Sequence, residues 1–169
     1  MDTTHLHLLL NHFPIIGTLL GVGVMVYGYL TTSNEVKKAA LWIWILMALI
    51  AIPVFLTGEP AEESVEELAG VSESMIHEHE EAAELAIWMM EALGLLSLLT
   101  LLVFKVRPAL VKILLLVTTV LSLLSFGTMA RTGYLGGQIR HSEIRSERTD
   151  SPAGTYESEG HSEREHDDD

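Results

Sequence analysis

The chain carries eight histidines and no cysteine, so imidazole is the best ligand type it offers for haem iron or for zinc and copper. Without thiolates there is no Cys-based zinc or iron–sulfur site, no covalent Cys-x-x-Cys-His haem attachment and no disulfide framework. Imidazole serves haem iron, zinc and copper. His7, His12, His77, His79 and His141 lie close to the ends of apolar segments, whereas His5, His161 and His166 fall in terminal stretches and read as solvated. A b-type haem held between helices needs one histidine from each of two facing helices at similar depth, small neighbours and a basic residue for the propionates. His12 and His79 meet the first demand, Ala82, Ala83 and Ala86 the second, and Arg131 and Arg140 the third. His7 and His141 then form a second pair or support the first. His77 and His79, two residues apart, point to different helix faces, and His79 is preferred. The same His12 and His79 pair is also the candidate for a non-haem zinc or copper ion. The competing reading of each histidine is a hydrogen-bonding group at a membrane surface.

A second stripe is acidic. His77, Glu84 and Glu91 are spaced by sevens, with Glu80 or Glu81 one turn before Glu84, so they share a helix face that leads inward. At 1.5 Å per residue, Glu91 lies about 10 Å into its apolar segment. An ionisable group at that depth is a candidate for handling protons or contacting a quinone. Its structural alternative is a carboxyl that ties helices together through Ser97, Thr100, Ser122 or Ser125. Met89 and Met90 read as core residues.

Positioning these groups falls to four apolar segments. Hydrophobic residues make up 49% of the 169-residue chain and mean hydropathy is +0.33, yet 20% is charged, so charge and apolar surface must be segregated. Runs of about the 20 residues that cross a bilayer occur at Phe13–Leu30, Ala39–Thr57, Leu85–Phe104 and Ile113–Ala130, and only the third holds a charge, Glu91. The expectation is an all-α fold: a four-transmembrane-helix domain over residues 1–141, with spans at about 8–30, 39–57, 82–104 and 110–131, and a disordered acidic tail over 142–169. The first run lacks a basic leader and a cleavage site, so it reads as a retained span. Between the second and third spans, Pro60 opens a short surface helix with body Ala61–Ala69 and stop Gly70. Ser72 or Ser74 then caps a helix running from about Glu73 through Phe104. Beyond Gly133, the Gly136-Gly137 pair supplies freedom for a turn back. Gly17, Gly21 and Gly28 share a face that permits close helix approach. Trp42 and Trp44 fit an interfacial aromatic belt.

Lys37, Lys38, Lys105, Arg107 and Lys112 occupy the two short loops, and the opposite side has no Lys or Arg before the first span or between the second and third. The positive-inside tendency therefore puts the short loops in the cytoplasm and both termini outside, in a bacterial inner membrane. All eight histidines then share the external, periplasmic side. A net charge of −13, concentrated in residues 59–84 and 142–169, argues against nucleic acid as a partner.

Two stretches carry a family resemblance. The first is His7-Leu-Leu-Leu-Asn-His12-Phe13-Pro14-Ile15; the second is Leu135-Gly136-Gly137-Gln-Ile139-Arg140-His141-Ser-Glu143-Ile144. Together they resemble an uncharacterised family of small bacterial four-helix membrane proteins, a domain of unknown function that opens with His-Pro-x-x-x-His-Phe-Pro and ends with a Gly-Gly turn. The likeness covers about residues 5–145 and departs at Leu8, where that family usually has proline. Similar domains are fused to c-type cytochrome modules in planctomycetes, so the resemblance implies a respiratory or redox context and points to His7, His12, His79 and His141. It brings no demonstrated activity.

Three functional readings stand at this level. The leading one is a redox-linked subunit, an electron-transfer or accessory protein rather than a stand-alone enzyme. It binds b-type haem near the external face through His12 and His79, uses Glu91 for protons, and links quinone to cytochrome c or another member of a respiratory complex. The second is a non-haem metal-binding or transport protein. The third is a cofactor-free structural or assembly subunit of a membrane complex.

Overall fold

The computed structural model describes residues 3–60 and 73–140, and every regular element among them is helical. In chain order these are α1 (Thr3–Leu10), α2 (His12–Leu30), α3 (Asn34–Leu56), α4 (Glu73–Val106) and α5 (Pro108–Arg140). Four segments are long and apolar enough to cross a membrane: α1 with α2, then α3, α4 and α5. Residues 58–60 are also helical, while the expected surface-helix body at 61–69 and the acidic tail at 142–169 lie outside the described residues.

Local chemistry sets the helix ends. Pro14, on the first turn of α2, has no N–H for the Leu10 carbonyl, and its ring crowds that carbonyl, so the helix is interrupted between Leu10 and His12. Thr32 takes a left-handed φ of 54° to turn the chain. The Ser33 side chain then accepts from the Val36 N–H at 3.4 Å, and Glu35 sits in the first turn of α3, where the helix dipole favours an anion. At the same end of the bundle only Arg107 separates α4 from α5, because Pro108 disfavours helical geometry in the residue before it and suits a first helical position.

The helices form an antiparallel ring: α4 packs against α3 and α5, and α2 packs against α3 and α5. Small residues set the closeness of the seams. A side chain at Gly17 would run into Met47, one at Gly21 into Trp44, one at Gly28 into Lys37, and one at Gly94 into Ala48. The glycine face expected on the first span is therefore its packing face toward α3. Trp44 is fully buried, and its Nε1–H donates to the Thr18 carbonyl at 3.2 Å. That corrects the reading of Trp44 as an interfacial residue: the glycine at 21 opens the space that draws the indole inward. Trp42, two residues away on the opposite face, is exposed.

The helix expected from about Glu73 through Phe104 is present as α4, while α5 runs past the expected end near 131 to Arg140. With 34 and 33 residues, α4 and α5 extend about 50 Å, against about 30 Å of hydrocarbon. Because they are joined by a single residue at one end, the excess projects at the other. There α5 continues as helix through Gly133, Gly136 and Gly137 to Arg140, so the Gly-Gly pair is not a turn. Ile76 on α4 and Leu135, Gln138 and Ile139 on α5 are buried at this end. Burial of that kind offsets the roughly 1 kcal/mol that each glycine costs in a helix interior.

Candidate functional site

Two histidines are fixed to backbone carbonyls at the end of the bundle, His7 where α1 packs on α3 and His79 where α4 packs on α5. His7 lies in the last turn of α1, and its Nδ1 donates to the Val54 carbonyl at 3.0 Å. The final carbonyls of a helix have no partner within it. In α3, Thr57 supplies one by donating its hydroxyl to Pro53 O at 2.8 Å and Val54 O at 3.0 Å, and His7 adds the second bond. The hydroxyl of Thr57 also lies 3.4 Å from His7 Nδ1.

His79, on α4, places its Nδ1 3.1 Å from the Thr132 carbonyl of α5. That carbonyl is one helical turn before Gly136, and a Cβ at Gly136 would stand 3.0 Å from His79 Cε1. The missing side chain is what lets the imidazole reach the α5 backbone. A Cβ at Gly58 would lie 3.7 Å from His7 Cε1, an ordinary van der Waals contact, so the His7 ring does not depend on a glycine there.

A backbone carbonyl only accepts hydrogen bonds, so in each ring Nδ1 carries the proton and the neutral imidazole keeps its lone pair on Nε2. Both rings are half-buried. Orientation of one nitrogen by a carbonyl is the arrangement that aims the other at a metal.

The remaining sequence candidates are elsewhere. His12 opens α2 with an exposed side chain. His77 is exposed and lies 3.7 Å from Glu80 and 3.4 Å from Glu81 along its own helix. Arg131 is exposed on the α4–α5 seam, 3.8 Å from Glu78. Arg140 ends α5, and His141 lies outside the described residues. The described residues bring no three His, Asp or Glu side chains into one metal-holding group.

Glu91 is half-buried, and its Oε1 is shielded without a hydrogen-bond partner. The polar ties expected for it are used differently. Ser125 donates to Met89 O, Ser122 to Thr119 O and Thr100 to Leu96 O, while Ser97 Oγ is buried with no partner. Thr100 and Ser122 thus satisfy themselves on carbonyls three or four residues back, and Ser125 on a carbonyl of α4, so none of these three donates to the carboxyl. His77 and Glu84, on the same stripe, are exposed, as is Trp88 one turn before Glu91.

Thr57, Thr132 and Gly136 were not singled out by the sequence as partners of a histidine. The only signal was the Gly-Gly pair, which reads equally well as a turn.

No protein-family model, no curated protein and no solved structure matches the chain. The likeness in the sequence thus stands on its quoted motif residues. Fold and site define the class as a helical multi-pass membrane protein with a pair of backbone-oriented histidines at one end of its bundle.

Proposed function

We propose that this protein is a redox-linked membrane subunit holding a b-type haem between His7 and His79. The observation that carries the reading is the matched pair of Nδ1 bonds to Val54 O and Thr132 O, which leaves both Nε2 atoms free to ligate. The count of ligands favours haem over a bare ion. Zinc takes three or four protein ligands, whereas haem brings four nitrogens of its own and needs one or two from the protein. His12, first paired with His79 on grounds of depth, gives way to His7.

A bound haem would supply one-electron transfer, and the chain would orient it, hold it without a covalent bond and limit water at its edge. The proposal places the histidine end on the external face, opposite Lys37, Lys38, Lys105, Arg107 and Lys112, with quinone and a cytochrome as exchange partners. Glu91 lies farther along α4 and is assigned no part in ligation.

The test is an absorption spectrum of the protein purified in detergent from haem-replete cells. A Soret band lost in His7→Ala and His79→Ala but retained in His12→Ala and His77→Ala is the expected result. A colourless protein overturns haem. Bound zinc or copper by elemental analysis would then support the non-haem metal reading.

A further inference from the structure

On the α4–α5 seam, one helical turn along α4 from His79, lies an open groove of about 320 Å³. Ala82 and Leu85 line it from α4, Leu123, Leu124 and Gly127 from α5, and Arg131 closes one end. Two small residues create the depression. Ala82 presents only a methyl group, and a Cβ at Gly127 would meet nothing within 4 Å, so this glycine makes room for no neighbour in the protein. Gly23 and Gly137 are equally open, whereas Gly17, Gly21, Gly28 and Gly94 face residues of a neighbouring helix. Gly127 differs from the other open glycines in lying on the floor of a groove.

We infer that the groove binds an anionic phospholipid, one acyl chain lying along the seam and the phosphate on Arg131. The charge and its depth determine the occupant. Arg131 directly follows the apolar run Ile113–Ala130, which puts its guanidinium at the level of lipid phosphates. Its carboxylate neighbour is Glu78 at 3.8 Å, a long and exposed contact that leaves guanidinium N–H groups to be shared. A guanidinium at the mouth of an apolar cleft can bond phosphate oxygens while the cleft takes an acyl chain. Glu78 opposes the phosphate, so it limits affinity and sharpens the dependence on Arg131.

Native mass spectrometry of the full chain in detergent tests this with three probes: phosphatidylglycerol, phosphatidylcholine of the same acyl chains, and inorganic phosphate. Phosphatidylglycerol should be retained in preference to phosphatidylcholine. Arg131→Gln should weaken that retention by roughly fivefold, as expected for one basic residue at a membrane surface. Arg131→Lys should restore most of it, Glu78→Gln should increase it, and Gly127→Leu, which fills the groove without touching the charge, should abolish the preference. Equal retention of the two lipids overturns the proposal. So does a Gly127→Leu variant that binds normally, or inorganic phosphate that displaces phosphatidylglycerol at equal concentration, since either means that no acyl chain occupies the groove. Circular dichroism verifies that each variant keeps its helix content. Because these readouts involve no haem, failure here is distinguishable from failure of the ligation reading.

Discussion

The seam between α2 and α3 and the seam between the projecting ends of α4 and α5 use glycine in opposite ways. At the first, Gly17 and Gly21 admit Met47 and Trp44, and the reward is apolar burial in close contact. At the second, Gly136 admits His79, and what is gained is access of an imidazole to a backbone carbonyl. The same residue type therefore serves packing where the incoming group is apolar and orientation where it is titratable. A glycine in a long apolar helix shows which by the side chain it receives.

Substitutions at these positions can break or sharpen that contrast. Gly21→Leu should have the largest effect, destabilising the fold by about 3 kcal/mol because the new side chain and the Trp44 indole compete for one space. Thermal unfolding in detergent would show it; an unchanged melting temperature would mean that the α2–α3 seam is not held by Trp44. Gly136→Val should act on function instead, displacing the His79 ring from Thr132 O and weakening haem retention by roughly 10–100-fold, as for other losses of ligand orientation. Its melting temperature without haem should change far less than that of Gly21→Leu, and comparable losses at the two sites would erase the distinction.

Smaller effects probe polar groups that neither seam accommodates. Glu91→Leu removes a carboxyl whose buried oxygen lacks a partner, and it should stabilise the protein by about 1–2 kcal/mol. A destabilised variant would indicate that the acid has a partner when membrane-embedded. Thr32→Gly relieves a left-handed backbone at φ 54° and should raise stability by about 0.5–1 kcal/mol, measurable as a small rise in the same thermal scan.

The features legible in the sequence were those set by composition and local spacing. Four apolar runs of bilayer length, the glycine face of α2 and the start of α4 near Glu73 were all readable there, because each depends on hydropathy or helical periodicity. The pairing of histidines was not. His7 and His12 are five residues apart, about 140° around a helix, so they cannot both face one site. Which one turns inward depends on the interruption before Pro14 and on the path of α1 across the end of α3.

Trp44 and the Gly136-Gly137 pair illustrate the same limit. An aromatic near a basic loop matches an interfacial anchor, and two glycines after an apolar run match a turn. Space opened by Gly21 on another helix made the first a core residue, and a neighbouring helix long enough to bury Leu135 and Ile139 kept the second helical. By itself, the sequence determined that four apolar helices segregate from an acidic, histidine-rich remainder, since hydropathy is additive along the chain. Only the tertiary structure decided which imidazoles are fixed to a backbone carbonyl, because that depends on contacts between residues far apart in sequence and on carbonyls whose exposure no side-chain pattern records.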